Sequence, residues 1–442
     1  MRYLVECTYV LDHPNDNTGI QRVVRNVINK LPGVREDAEC VPVAFRGGDL
    51  YRVRRLAPQK YDGAVSNARR WMRALKHRYW YAHARLHDLA ILSDSPRVRG
   101  IIHRLFTLFA PLYLLPAALV EFVATRWFDG ERIEPLTVAD DDVLVLLDSS
   151  WQYDFFPQVV AFKKRGIKVV GVIYDLIPLT HPQFCDKHLV KVFEEWFDWI
   201  AQHADGFMCI SKTIAEEVKE AVHLRLGTEQ AQQRWYGHFY LGSELDLTVA
   251  GEEIAPSVKR VFTGGRSVYL MVGTIEPRKN HVYLLDAFEL LWEQGIDVAL
   301  CLVGKVGWKC EALVDRIEKH PELNRRLFML NGLADAELEY CYREAKRLVF
   351  PSYVEGFGLP LVEALERQLP AMASDIPVFR EVGGSSVSYF DLAKPASLAT
   401  DIKALELPGV ADVDLDGWSW IGWQESAEQL IRGVDAGLQE KA

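Results

Sequence analysis

Pro351–Glu363 reads PSYVEGFGLPLVE and follows directly on the apolar run Leu348-Val349-Phe350. The order is that of a buried strand, a glycine-bearing loop and the start of a helix, whose carboxyl edge is where α/β proteins bind ligands. Gly356 and Gly358 let the loop backbone come close to a bound group, Pro360 suits the first helical turn, and Leu361, Val362 and Leu365 give the helix an inward face. A helix N-terminus aimed at the loop favours an anion. Glu355 and Glu363 flank that anion site, and sugar hydroxyls give two carboxylates a reason to stand beside a phosphate, because a carboxylate accepts two hydrogen bonds from a vicinal diol. A ligand with a diphosphate in its middle and a polyol at each end uses all of these features together. The plainer reading is that Glu363 pairs with Arg367 at i,i+4 and Glu355 is a solvated loop residue.

A chain of 442 residues has room for two or three domains, each with its own core. Its net charge of −10 argues against a general nucleic-acid binder. The charge is uneven. Residues 46–104 hold 14 Lys and Arg against four Asp and Glu, interleaved with Tyr51, Tyr61, Trp71, Tyr79, Trp80 and Tyr81. The nearly apolar run 101–128 follows, interrupted by Pro111 and Pro116 and containing Arg104 and Glu121. A helical pair lying in a membrane interface accounts for both compositions, and a helical insertion packed on the protein's own core accounts for the second. The seven cysteines are scattered without zinc spacing and read as small buried hydrophobes in a reducing compartment, and the N-terminus lacks the pattern of an export signal.

Short apolar runs alternate with helical stretches along the rest of the chain, which predicts parallel sheets covered by helices on both faces. A β-rich run spans Arg2 to Val10, and Ile20, Val23, Val24, Val27, Ile28 and Leu31 form one stripe of a helix starting near Gly19, a second anion site unless Thr18 is a simple N-cap. Further strands are expected at Val143–Leu147, Val169–Tyr174, Phe207–Ile210, Val268–Val272, Val298–Val303, Leu327–Leu330, Leu348–Phe350, Ala371–Ala373 and Val387–Phe390. Asp140-Asp141-Asp142 precedes a strand and reads as its solvated entry, so no metal site is assigned. Asp175 falls at a strand tip in IYDLIPLTHP, with His181 in the loop that follows. Arg278 and Lys279 sit at a helix start, where two cations oppose the positive dipole end and a bound diphosphate relieves the conflict. Lys305, after the next strand, is placed to reach a phosphate or base. Thr248–Arg266 is polar and glycine-bearing, the expected interdomain linker.

EGFGLPLVE resembles the E-x7-E signature of retaining glycosyltransferases of family four, which have the GT-B fold. VGTIEPRKNH, LVGKVGW, NGLADAELEYCYREAKRLVFPS and SDIPVFREVGG extend the resemblance over the C-terminal half; NTGIQRVVRNV, IYDLIPLTHP and CISKTIAEEV carry it more thinly before that. The resemblance implies an α/β GT-B protein, two Rossmann-like domains facing a central cleft. These are an acceptor-side domain at 1–255 with the helical, membrane-associating insertion at about 46–128, a nucleotide-sugar domain at 256–420, and a helix at 421–442 crossing back to the first. Thr18 and Gly19 stand where the family has a glycine pair near the donor diphosphate, and Tyr174 stands where members often have a histidine. His181 either supplies that missing imidazole or only fixes its loop, and Asp175 is placed to accept from the acceptor hydroxyl.

By the same resemblance Arg278 and Lys279 hold the diphosphate, Glu363 the ribose diol and Glu355 the hexose hydroxyls, with Gly273, Lys305, Gly356, Phe357, Gly358 and Leu359 completing the donor site. The chemistry expected is retaining, metal-independent and cofactor-free hexosyl transfer from a nucleoside-diphosphate sugar to a glycan or lipid-linked acceptor. The likeness to bacterial O-antigen and capsule mannosyltransferases makes GDP-mannose the first donor to consider. The place expected is the cytoplasmic face of the membrane, with no nucleic-acid partner. A GT-B scaffold that binds a nucleotide sugar or glycan without turnover is the rival; a storage-glycan phosphorylase or synthase is disfavoured by the apolar run.

Overall fold

The computed structural model describes residues 2–13, 19–35, 38–54, 56, 133–245, 253–410 and 413–441. Two compact units divide the chain, one of Met1–Val10, Asn17–Pro42 and Val138–Ala442, the other of Leu11–Asp16 and Val43–Thr137. Strand β1 (Arg2–Glu6) lies in the first unit, and β2 (Glu39–Arg46) begins there and ends in the second, where β3 (Asp49–Val53) and β4 (Ile133–Pro135) follow. Within the second unit Arg46 pairs opposite Asp49 in an antiparallel hairpin, and β4 runs antiparallel to β3. Gly47 and Gly48 turn it with φ of 56° and 98°, the left-handed pair that a two-residue hairpin loop demands. The expected insertion at 46–128 falls largely on residues 57–132, outside the described part of the chain.

In the larger unit β5 (Val143–Leu146), β6 (Lys168–Ile173), β7 (Gly206–Cys209) and β8 (Trp235–His238) extend from β1 in the order β1-β5-β6-β7-β8, all parallel. A second sheet follows: β9 (Ser267–Val272), β10 (Val298–Val303), β11 (Leu327–Leu330), β12 (Arg347–Phe350), β13 (Ala371–Ser374) and β14 (Val387–Phe390). Its order is β11-β10-β9-β12-β13-β14, again all parallel. The chain winds outward from β9, then returns to start again at β12, so the strand order reverses between these two. That is the crevice where open α/β sheets bind ligands. Leu284, Phe288 and Leu291 from one face of the His281–Glu293 helix bury against Tyr269, Met271 and Leu300 of the sheet.

Several stretches differ from the sequence reading, the β2–β4 hairpin region among them. The first strand stops at Glu6, and Thr8–Asp12 is helical, because Glu6 turns the chain. Its Oε1 accepts the Thr8 amide at 2.7 Å and its Oε2 the Asp148 amide at 3.3 Å. Burial, and then the Asp148 carboxylate, raise Glu6 to about 8, so it keeps its proton at neutral pH beside Asp148. The expected linker holds a helix, Pro256–Phe262, whose proline opens the first turn and whose Val258 and Val261 are buried one turn apart. Strand β8 was not anticipated. Its Trp235 fits because Gly206 and Gly437 carry no Cβ, which would lie 2.0 and 2.2 Å from the indole.

Gly437 belongs to the Trp423–Glu440 helix, which packs on β7, β8 and the Gly19–Lys30 helix. The Asp140–Asp142 run is a strand entry: Asp142 pairs with Arg2 at 2.7 Å and Asp140 with Arg165 at 2.9 Å. All seven cysteines are free. Among the described residues no helix is long and apolar enough to cross a membrane, and residues 101–128 lie outside them.

Candidate active site

Two loops leave the carboxyl edge of the second sheet side by side, one after β9 and one after β12. The first passes Gly273, whose φ of 152° lets the chain turn where a Cβ would already touch Lys279. It then forms the short 3-10 turn Pro277–Lys279 before the left-handed Asn280 and the His281–Glu293 helix. The second is the Pro351–Gly358 loop, ending at left-handed Gly358 before the Leu359–Glu366 helix. The Tyr353 amide donates to the Arg278 carbonyl at 2.8 Å and joins the two loops.

Arg278, Lys279 and Glu355 form one buried ion cluster across this junction. Arg278 Nη1 lies 2.7 Å from Glu355 Oε2, Arg278 Nε 2.7 Å from Glu276 Oε1, and Lys279 Nζ 2.5 Å from Glu355 Oε1. The Lys279 ammonium also stands 4.7 Å over the Phe350 ring. Burial works to raise the Glu355 carboxyl, but Arg278 and Lys279 outweigh it and hold the group at about 2. Burial lowers the Lys279 ammonium and takes His281, beside Lys279, down to about 3, so the imidazole is neutral. His281 Nδ1, Asn280 Nδ2 and Ser352 Oγ are buried without a hydrogen-bond partner among the described residues. Buried polar atoms of this kind call for a partner that a bound polar molecule would supply.

Asp175 lies at the carboxyl end of β6, and with Arg278 it lines a cavity of about 190 Å³ whose other walls include Ile20, Trp151, Tyr174 and Trp308. Burial raises the Asp175 carboxyl and Arg278 partly offsets it. Its Oδ1 accepts the Ile177 amide at 3.0 Å. Tyr174 is buried, and its hydroxyl donates to the Leu147 carbonyl at 2.7 Å. His181 does not line this cavity. Its Nδ1 is 2.9 Å from Thr180 Oγ1 and its ring stacks on Phe184, which stacks in turn on Tyr353.

Glu363 is 1 % exposed on the Leu359–Glu366 helix, held by the Tyr342 hydroxyl on Oε2 at 2.6 Å and by Arg22 Nη1, 2.8 Å from Oε1. The i,i+4 pairing with Arg367 does not form through the side chains: Arg367 Nη1 donates to the Glu363 carbonyl and Nε to Glu339. Gly19, exposed, opens the Gly19–Lys30 helix, and Thr18 lies outside the described residues. Phe357 packs between Tyr240 and Trp420 while Leu359 starts its helix. Lys305 is exposed at the end of β10, its carbonyl accepting the Ile275 amide.

The two sheets meet at this site. Ser211 Oγ donates to the Gly356 carbonyl at 3.0 Å, Glu381 accepts the Lys212 and Thr213 amides at 2.6 and 2.8 Å, and Trp308 Nε1 donates to the Phe184 carbonyl at 2.8 Å. Gly356 sits so close to the Tyr174 carbonyl that a Cβ would come within 2.2 Å of it. Gly356→Ala is therefore expected to push the loop off the first sheet, at about 1–3 kcal/mol in thermal unfolding and with loss of any activity the loop supports. Arg22, Tyr342, Ser211 and Glu381 are contacts that sequence spacing did not reveal. Ser211 carried a signal, as the N-cap of the Lys212–Leu226 helix.

This architecture is GT-B: two parallel-sheet α/β domains with the candidate site where their carboxyl edges meet. Residues 257–407, about a third of the chain, match the model of the family of glycosyl transferases group 1. The serotype-specific mannosyltransferase WbdA of Escherichia coli is 33% identical over 321 residues, 70% of this chain and 39% of that protein. The O-antigen chain mannosyltransferase B of Escherichia coli is 33% identical over 252 residues, 57% of this chain and 62% of its own length. The chain thus spans well under half the length of WbdA. Among solved structures, Anabaena HepE in complex with UDP and glucose superposes with a TM-score of 0.52 at 14% identity, covering 99% of this chain and 95% of that one. Sucrose-phosphate synthase from Thermosynechococcus elongatus gives 0.52 at 15%, covering 99% and 94%. At such identities these two share the fold with this chain.

Proposed function

We propose that the chain is a retaining, metal-independent mannosyltransferase that moves mannose from GDP-mannose to a growing or lipid-linked glycan of the O-antigen kind. The observation that carries this reading is the Arg278–Glu355–Lys279 cluster at the point where strand order reverses. Departure of a nucleoside diphosphate leaves charge on phosphate oxygen, and fixed cations in a buried site stabilise that charge more in the transition state than before it. Glu355 holds the place of the diphosphate until the donor arrives, then turns to the hexose hydroxyls, while Glu363 takes the ribose diol. Asp175, whose carboxyl is raised by burial, accepts the proton of the attacking acceptor hydroxyl. His181 fixes the loop behind it. The donor sugar is taken from the names of the relatives, which are mannosyltransferases.

Incubation with GDP-mannose, UDP-glucose and other sugar nucleotides, with a mannose-terminated acceptor, tests the reading: GDP release and an α-linked product by NMR are expected. Binding without turnover for every donor would leave a non-catalytic scaffold. The composition of residues 46–128 supports attachment to the cytoplasmic face of the membrane. Deletion of residues 101–128 is expected to move the protein from membrane to soluble fractions, and unchanged partitioning would end that part of the proposal.

A further inference from the structure

Beyond Asp175 the site continues as an aromatic wall. The cavity that Asp175 shares with Arg278 is also lined by Trp151, Phe193, Trp196 and Trp308. Trp151 packs edge-on against Phe193 and Trp196, with ring centroids 5.4 and 5.3 Å apart, an arrangement that fixes its plane. Trp196 is 1% exposed, and its Nε1 has no hydrogen-bond partner among the described residues. A buried indole N–H calls for an acceptor, which a bound polar molecule would supply. The cavity of about 190 Å³ equals the liquid volume of about six waters, room for one sugar ring and no second. A pyranose suits these walls, because its C–H face lies well against the negative face of an aromatic ring while its hydroxyls reach Asp175.

Trp308 carries the wall out of the cavity, since it lines that space and is still 42% exposed. Its Nε1 is spent on the Phe184 carbonyl, and the adjacent Lys309 donates to the Gln183 and Cys185 carbonyls at 3.1 and 2.6 Å. Lys309 is left-handed at φ 54°, a conformation unfavourable for a lysine that these two bonds maintain. The loop after β10 is thus pinned to the Pro182–Phe184 turn. Phe184 backs the Tyr353 ring, centroids 5.6 Å apart and planes 15° from parallel, and Tyr353 is 44% exposed. Single exposed aromatics are ordinary, but two that share one phenylalanine at the mouth of a cavity form a patch. We propose that Trp308 and Tyr353 are a second acceptor subsite, which stacks the penultimate sugar of a glycan whose terminal sugar fills the cavity at Asp175. The occupant is the glycan and not the donor's base, because Trp308 shares its cavity with Asp175, and Glu363, read as the holder of the ribose, does not line it. The acceptor class is therefore an oligosaccharide of two sugars or more, and a single sugar meets half of the site. This inference rests on the acceptor-side reading of Asp175 given above.

The test measures initial rates with GDP-mannose, and glycan binding by saturation-transfer NMR, each with mannose and with an α-linked mannobiose. The proteins compared are the wild type, Tyr353→Ala, Trp308→Ala and Trp308→Phe. The wild type is expected to favour the mannobiose about tenfold in kcat/KM, chiefly through KM, and each alanine variant to cut that preference to about twofold. Trp308→Phe, which keeps a ring and gives up the tether to Phe184, is expected to retain most of it; a loss as large as in Trp308→Ala would make Trp308 a tether and overturn the subsite. Equal use of both sugars by the wild type, or an undiminished preference in both alanine variants, would overturn it as well. So would a Tyr353→Ala that keeps the preference but no longer binds phosphatidylglycerol vesicles, which would give the patch to a membrane. Mannobiose binding that depends on both aromatics without GDP release would keep the subsite and end the transferase reading. GDP release with no preference between the sugars would do the reverse.

Discussion

Lys279→Ala is expected to reduce turnover by about 10²–10³-fold with the fold intact, the scale found when a single preorganised donor to a developing negative charge is removed. The fold survives because Glu355 retains Arg278 at 2.7 Å and Arg278 retains Glu276, so no buried carboxylate is left alone. Turnover does not survive, because the leaving diphosphate loses the only compact ammonium in the cluster. The Phe350 ring beneath Lys279 offers a quadrupole face and no charge to replace it. Steady-state assays with GDP-mannose check this: a fall in kcat with little change in melting temperature is expected, and full activity would remove Lys279 from the chemistry.

Glu355→Ala has the larger effect on stability. It strands Arg278 and Lys279 in a buried place with Glu276 as the nearest remaining counter-charge, and breaking a buried pair in this way costs about 3–5 kcal/mol. The loss has a pH signature with a fixed sign. The Glu355 carboxyl is held at about 2 in the folded protein against an ordinary value of 4.5, so its contribution is fully present above pH 4.5 and is lost as pH falls toward 2. That shift corresponds to ~3 kcal/mol, and the acid limb of the wild-type stability curve should be shallower in Glu355→Ala. An added diphosphate distinguishes an anion site from an ordinary structural ion pair. GDP should raise the melting temperature of Glu355→Ala more than that of the wild type, because in the variant it faces two cations without a competing carboxylate. A smaller shift than in the wild type would mean that Glu355 serves the ligand and not the cations.

Much of this site was legible because its residues lie next to one another in the chain. The loop from Glu355 to Gly358 and the Arg278-Lys279 pair each follow a buried apolar strand, and parallel strands place such loops on one edge. What the sequence could not show is which distant side chains meet there. Arg22 and Tyr342 converge on Glu363 from positions 341 and 21 residues away, and no local pattern marks either. The interleaved Glu381 and Lys212 backbone contact is equally remote. Local chemistry also hid structure of its own. The polar look of the expected linker masked the Pro256–Phe262 helix because only Val258 and Val261 face inward, and the Gly47-Gly48 turn was passed over within a stretch read for its charge. The shared burial of Glu6 and Asp148 at neighbouring strand ends appears only when β1 and β5 pair.

Titration of the full chain with GDP, watched by calorimetry in the wild type and in Lys279→Ala, bears most directly on the claim that the β9–β12 junction holds a nucleotide diphosphate. Saturable binding that weakens at least tenfold in the variant is the predicted outcome. Binding of equal strength in both proteins, or heat from neither, would mean that the cluster of Arg278, Lys279 and Glu355 is a structural clasp with no ligand of this kind.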